Sequence, residues 1–309
     1  MKACVDIGGT KVAVSLAEDG SRELLARQSE PTLKTGRNDA VALQVMRLID
    51  AACAQAGIAP ESIARVGVSS AGPFIMKDGC IELATPNICG GLAGPARGSS
   101  NDWLTAPIEQ PLRQRFAQVR VENDAVAAME AERRWGALQG MDHCAYVTWS
   151  TGVGVGLCVD GRPLRGKNGN AGHGGHTFVA DDDNLAAQCG CGNFGDVEGL
   201  AAGNSIARRF DMTAAELFAR AGNGDAHAME VVDALCRVLG RLLYNLIATL
   251  DLQAISLGGS VFWNNRALLL PKLQAQIDGK LPALTAGVPL VAAGLGEAVG
   301  DYAALALLD

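Results

Sequence analysis

No unbroken apolar stretch of about 18 residues occurs in this 309-residue sequence, which excludes a membrane-spanning helix. The opening run Met1-Lys2-Ala3-Cys4-Val5-Asp6 enters a strand-like pattern at once and lacks the apolar segment and cleavage site of a secretory signal. Basic charge is in deficit, with a net charge of −7, so no broad surface attracts a polyphosphate backbone and nucleic acid is not an expected partner. A disulfide framework is missing as well. The nine cysteines are odd in number and scattered over a long chain, and most read as small buried apolar residues in a reducing, cytoplasmic setting. Histidine is scarce, with four in the chain, yet two of them, His173 and His176, fall in one glycine loop.

The composition itself is that of a protein with a large core. Hydrophobic residues make up 49% of the chain, and the length suggests two domains. Ala3–Ile7 reads as a strand that ends in Gly8-Gly9-Thr10 and returns from Lys11, with Glu18-Asp19-Gly20 as a hairpin signal. Val41, Val45, Leu48 and Ala52 form one stripe of a helix over 39–56, closed by Gly57. Arg65–Ser69 feeds the loop Ser70-Ala71-Gly72-Pro73, and the stretch from Thr85 to Gln110 reads as long and irregular. Cys144–Thr148 is a strand leading into Ser150-Thr151-Gly152-Val153-Gly154-Val155-Gly156, and Asp160-Gly161 marks a second hairpin. A long helix over 229–250, strands at 254–257 and 290–293 and a closing helix over 297–308 complete the pattern. Two regions, beginning at Val5 and Tyr146, share the outline of a strand, a glycine turn and a returning strand. That is the pattern of a duplicated α/β unit with ligand held between the halves, and it is not a βαβ dinucleotide fold, whose glycines lead into a helix.

Five constellations carry chemistry. Asp6-Ile7-Gly8-Gly9-Thr10-Lys11 offers backbone N–H groups and a hydroxyl to a phosphate and a carboxylate to Mg2+; alone, a hairpin capped by Asp6 explains it as well. Ser150–Gly156 offers the same from a second turn, and alone it too reads as a packed bend. Two such turns opening two comparable units point to a phosphate gripped from both sides. In Glu122-Asn123-Asp124-Ala125, Asp124 stands at a helix N-terminus, where the dipole keeps it ionised as a weak base; an ordinary helix cap fits equally. His176, Cys189 and Cys191 are zinc-type ligands on a loop pair, with Asp196 available as a fourth. Leu257-Gly258-Gly259-Ser260 lets a flat ring lie on the backbone, or simply turns a strand into a helix.

These residues resemble the ROK family of bacterial sugar kinases and repressors over essentially the whole chain. The most specific segment is the Cys-x-Cys-Gly-x-x-Gly-x-x-Glu run from Cys189 to Glu198. The resemblance implies an α/β, actin/hexokinase-like (ribonuclease H-like) two-domain fold with a ligand cleft between domains, split as 1–122 with 295–309 and 123–294. It implies ATP with Mg2+ around Asp6, Gly8, Gly9, Thr10, Lys11, Thr151, Gly152 and Gly154, with Gly258 and Gly259 toward the nucleoside. It implies Asp124 as general base and sugar contacts from Gly72, Asn87, Asn123, Asp124, His173, His176 and Glu198. A structural Zn2+ on His176, Cys189 and Cys191, and a homodimer, follow from the same resemblance.

Two departures stand out. The family's substrate loop usually reads Glu-x-Gly-His, whereas His173 stands at the Glu position; Ala171-Gly172-His173-Gly174-Gly175-His176 is similar to the loop of enterobacterial-type N-acetylmannosamine kinases. Pro86-Asn87, Gly90-Gly91-Leu92 and the run from Phe218 to Asp225 add to that similarity. Asp196 stands where the family has a third cysteine. The expected activity is ATP-dependent phosphorylation of a hexose or N-acylhexosamine at the 6-hydroxyl, N-acetylmannosamine first. A glucokinase-like enzyme is the alternative within the class, and a non-catalytic sugar sensor the alternative outside it. The repressor branch carries an additional DNA-binding segment for which this chain, opening on its first strand, leaves no room.

Overall fold

The computed structural model describes residues 1–92, 100–181 and 184–308. The chain begins with strands β1 (Lys2–Ile7), β2 (Lys11–Ala17) and β3 (Leu25–Pro31), helix α1 (Ala40–Ala56) and strand β4 (Arg65–Ser70). It continues through β5 (Phe74–Lys77), β6 (Cys80–Leu83), β7 (Ala106–Pro107), α2 (Glu109–Arg113), β8 (Gln118–Asn123) and α3 (Asp124–Trp135). Next come β9 (Cys144–Trp149), β10 (Val153–Val159), β11 (Arg162–Pro163), α4 (Val197–Ala201), α5 (Gly203–Phe210), α6 (Ala214–Gly222) and α7 (Ala226–Leu250). The last elements are β12 (Ala254–Gly258), α8 (Ser260–Asn264), α9 (Arg266–Ile277), α10 (Pro282–Thr285), β13 (Leu290–Ala292) and α11 (Val299–Ala306). Two compact units result: Met1–Ala131 with Arg165–Ala171 and Ala298–Asp309, and Glu132–Leu164 with Gly172–Glu297.

In the first unit the sheet order is β3-β2-β1-β4-β8. β1 and β2 are antiparallel, and β4 and β8 run parallel to β1. Val5 and Ile7 of β1 and Val12, Val14 and Leu16 of β2 are buried, and Val41, Val45, Leu48, Ile49 and Ala52 of α1 join them in one core. The helix stops at Gly57, which adopts the left-handed conformation at φ 67° and returns its N–H to the last carbonyls. α11 packs on β1 and β4. It lies so close that a Cβ at Gly67 would stand 2.2 Å from the Ala304 carbonyl oxygen. Its final carbonyls are held by cations, with Arg120 donating to Leu307 at 2.8 Å and Arg65 to Leu308 at 2.9 Å.

The second unit repeats the plan as β11-β10-β9-β12-β13. β9 and β10 are antiparallel, and β12 and β13 run parallel to β9. Val147, Trp149, Val155, Ile255 and Leu257 of this sheet share a core with Leu235, Leu239 and Leu243 of α7. The duplicated unit read from Val5 and Tyr146 is therefore present strand for strand. Among the described residues no helix is long and apolar enough to cross a membrane.

Several local readings change. The Glu18–Gly20 hairpin extends to a seven-residue connection, residues 18–24, because β3 begins only at Leu25; Asp19 there takes ion pairs from the Met1 amine and Arg65. The stretch from Thr85 to Gln110 carries β7 and the start of α2, and β7 completes a small β5-β6-β7 sheet; residues 93–99 lie outside the described residues. The closing helix is shorter, because a tight turn at Gly296–Ala298 precedes it.

Candidate active site

On the first unit, the turn between β1 and β2 holds Gly8, Gly9 and Thr10. Gly8 N–H donates to the Lys11 carbonyl at 2.9 Å, and Thr32 ties the turn down from β3's end, its hydroxyl to the Gly8 carbonyl at 2.7 Å and its N–H to Thr10 at 3.1 Å. Thr10 and Lys11 are exposed. Asp6, half-buried at the end of β1, has its acidity weakened by desolvation, which outweighs the pull of Lys11 and Arg27. Asn87 sits against this turn: a Cβ at Gly9 would lie 2.8 Å from Asn87 Cβ. The loop holding Gly72 hangs from β1 and the following turn, with Ala71 N–H donating to Ile7 at 3.1 Å and the Thr85 hydroxyl to Ala71 at 2.8 Å.

Asn123 ends β8 and Asp124 opens α3. Asn123 is buried and its Oδ1 accepts the Ala125 N–H at 3.0 Å, so Asn123 does the capping. Asp124 is exposed, and its Oδ1 also takes the Ala125 N–H, at 2.8 Å. The helix dipole by itself would hold Asp124 ionised as a weak base; here desolvation by the surrounding protein is larger than the amide's effect and, with Asp6 adding repulsion, pushes its pKa up to about 6. The open face of the carboxyl lets water screen part of this, but the direction is set by the protein mass around it. A carboxylate near that value is ionised at neutral pH and more basic than a surface aspartate.

On the second unit, Thr151 and Gly152 form the turn between β9 and β10. Ser150 N–H donates to Gly152 at 2.9 Å, and the start of α5 leans on it, with Gly203 N–H to Ser150 at 2.8 Å and Asn204 N–H to Thr151 at 3.3 Å. Gly154 lies one residue inside β10. Gly258, the last residue of β12, and Gly259 after it lie flush against β9: added Cβ atoms would lie 2.3 Å from the Tyr146 hydroxyl and 2.5 Å from the Trp149 carbonyl oxygen. The strand-to-helix turn also read for this motif is present, since α8 starts at Ser260.

The loop from Gly172 to His176 lies on β10. Cβ atoms at Gly172 and Gly175 would stand 2.3 Å from the Val155 carbonyl oxygen and 2.1 Å from that of Val153. The imidazoles of His173 and His176 are 6.0 Å apart between ring centres. His176 belongs to a four-residue cluster with Cys189, Cys191 and Asp196, whose ligand atoms all lie within 4.8 Å of one another. His176 Nδ1 is 3.5 Å from both Cys189 Sγ and Asp196 Oδ2, and Cys191 Sγ is 3.4 Å from that same oxygen. Those edges suit a tetrahedral ion with bonds of about 2.0–2.3 Å. Asp196 also caps α4, its Oδ1 accepting the Gly199 N–H at 2.6 Å, which leaves Oδ2 to face His176 and Cys191. Glu198 sits in the first turn of α4 and takes the Val153 N–H at 3.0 Å. The sequence reading placed Glu198 only on the sugar and did not single out Thr32, which carries no motif of its own.

Paired five-stranded sheets of one topology, each opening on a glycine turn, define the actin/hexokinase-like class of two-domain α/β proteins. The chain belongs to the ROK family, whose sequence pattern matches residues 2–309. It is 30% identical to a glucokinase of Aeropyrum pernix over 98% of this chain and 95% of that protein. It is 34% identical to an N-acetylmannosamine kinase of Escherichia coli over 83% of this chain and 82% of that protein. Among solved structures it is similar to a ROK family glucokinase of Streptomyces griseus in complex with glucose and AMPPNP, with a TM-score of 0.70 and 27% identity over 99% of this chain and 98% of the other.

Proposed function

We propose that this ROK sugar kinase transfers the terminal phosphoryl group of ATP to the 6-hydroxyl of an N-acylhexosamine, N-acetylmannosamine first. The reading is carried by Asp124, an accessible carboxylate at the head of α3 whose basicity is raised to about 6. The 6-oxygen forms a bond to the γ-phosphorus as the bond from that phosphorus to the ADP oxygen breaks, and the hydroxyl proton passes to Asp124. In a loose transition state that proton leaves late, so a modest base suffices. The role of orienting the sugar falls to Asn123, Asn87, the loop at Gly72, His173, His176 and Glu198. Gly8, Gly9, Thr10 and Lys11 on one turn, and Thr151, Gly152 and Gly154 on the other, present N–H and hydroxyl groups suited to phosphate oxygens. Asp6, its charge weakly solvated, suits the Mg2+ that accompanies ATP. Gly258 and Gly259 offer bare backbone to the nucleoside. Nine free cysteines accord with a cytoplasmic enzyme.

His173 supports the choice of sugar. An imidazole in place of a carboxylate donates and accepts differently to a ring hydroxyl, so it changes which epimer leaves no polar group unpaired. The more identical of the two relatives above is an N-acetylmannosamine kinase, and the other is a glucokinase. Measuring kcat/KM with glucose, mannose, N-acetylglucosamine and N-acetylmannosamine tests the reading. N-acetylmannosamine should lead, and His173→Glu should cut its kcat/KM about 10–100-fold. A clear glucose preference in the unaltered enzyme would overturn the choice of sugar.

His176, Cys189, Cys191 and Asp196 suit Zn2+, which would cross-link the loop of His173 to the start of α4. Protein purified without chelator should carry close to one zinc per chain. Asp196→Asn keeps an acceptor for the Gly199 N–H and should lose zinc while retaining the cap. Asp196→Ala should lose both, at about 1 kcal/mol more in stability. Equal zinc content in all three proteins would remove Asp196 from the ligand set.

A further inference from the structure

Glu198 does something in the second unit that a sugar contact does not require. Its Oε2 accepts the Val153 N–H at 3.0 Å, at the point where the turn of Thr151 and Gly152 becomes β10. The same oxygen lies against Gly152: a Cβ there would meet Oε2 at 2.6 Å and Cδ at 3.3 Å. The other oxygen, Oε1, is 3.8 Å from the Cys189 thiol. Gly152 is not in the left-handed region, so its backbone does not demand glycine; only the Glu198 carboxylate occupies the space a side chain would need. On the remaining sides the turn is held by backbone groups, namely Gly203 on Ser150 and Asn204 on Thr151.

We infer that Glu198 is a positioning residue for the nucleotide-phosphate turn, its carboxylate fixing the Val153 amide and thereby the orientation of the Thr151–Gly154 backbone. The inference rests on the reading above that this turn faces phosphate. One side chain then spans from Cys189 to the phosphate turn. A side chain at position 152 acts by evicting Glu198, so Gly152→Ala and Glu198→Ala remove the same hydrogen bond.

The test is binding of Mg2+ with AMPPNP, a non-hydrolysable ATP analogue, without sugar, so that any role of Glu198 on the sugar is silent. Calorimetry on the full chain would compare the unaltered protein, Glu198→Gln, Glu198→Ala, Gly152→Ala and the double variant, each with its zinc content measured. Glu198→Gln keeps an acceptor oxygen and should bind within about twofold of the unaltered protein. Glu198→Ala and Gly152→Ala should each weaken binding about tenfold, and the double variant no more than either alone. Unchanged binding by Glu198→Ala, or losses that add in the double variant, would overturn the inference. Glu198→Gln and Gly152→Ala keep the test decisive if Glu198→Ala does not fold. Amide resonances of Thr151–Gly154 should move when the unaltered protein takes up the analogue. If they stay still, the phosphate reading of the turn fails; if they move while Glu198→Ala binds normally, the positioning role alone fails.

Discussion

Asp124→Asn should lower kcat by roughly 10²–10⁴-fold while leaving sugar affinity within a few-fold, because the amide keeps the shape of the carboxyl and loses its ability to take a proton. The pH profile of the unaltered enzyme should carry the matching signature. A carboxylate base works when ionised, so kcat/KM should be level above neutrality and fall about tenfold per pH unit once pH drops through about 6, where desolvation by the surrounding protein and repulsion from Asp6 place the Asp124 pKa. An ordinary surface aspartate would keep the profile level down to about pH 4. Asn123 takes the Ala125 N–H in either protein, so α3 keeps its cap and the loss is not one of folding. Stopped-flow or steady-state kinetics of both proteins check this, and near-full kcat in Asp124→Asn would mean that the proton goes elsewhere.

Gly175→Ala should be severely damaging to the loop of Gly172–His176. The new Cβ would sit 2.1 Å from the Val153 carbonyl oxygen, and strand backbone has no rotamer with which to yield. Either the loop lifts from β10 or the strand bends, at a cost on the order of 1–3 kcal/mol. His176 is the next residue, so a lifted loop also takes its imidazole out of the cluster with Cys189, Cys191 and Asp196. The expected outcome is a lower Tm, reduced zinc and sugar KM raised at least tenfold, together. Gly222→Ala is the control, since nothing lies within 4 Å of its added Cβ at the end of α6. It should be neutral or slightly stabilising, by up to about 1 kcal/mol. A Tm for Gly175→Ala equal to that of the unaltered protein would show that the loop is not held against β10.

Much of this fold is legible in sequence because it is written in local periodicity. Buried strands such as 3–7 and 144–149 are short, largely apolar runs that lead into glycine turns, and α1 announces itself by its stripe and by Gly57. The duplication is legible for the same reason, since two glycine turns each join a strand to its antiparallel return. What was not legible is long-range. β5, β6 and β7 are strands of two to four residues whose pairing spans Phe74 to Pro107, too short to show alternation. The helices between 197 and 222 are five to nine residues long, too short to sustain a readable apolar stripe; Asp196 caps α4 and a capping box of Thr213 and Glu216 opens α6. The two glycine turns, Asp124 and the His176, Cys189, Cys191 group stand out in the sequence by type and spacing and the sugar contacts by family resemblance, but none of their electrostatics is written there. A helix N-terminus predicts a lowered pKa for Asp124, and desolvation by the surrounding protein, with repulsion from Asp6, reverses the sign. Likewise the sequence offers Asp196 only as a fourth ligand, and the structure shows its Oδ1 capping α4 while Oδ2 faces His176 and Cys191.

The most direct test of phosphoryl transfer to a sugar 6-hydroxyl is phosphorus NMR of the protein incubated with MgATP and N-acetylmannosamine. One new phosphomonoester signal should appear, split into a triplet by the two protons on C6, growing in step with ADP and absent for Asp124→Asn. A doublet would place the phosphate on a ring carbon. No ester with any of the four sugars, despite calorimetric sugar binding, would make the protein a sensor and contradict the account.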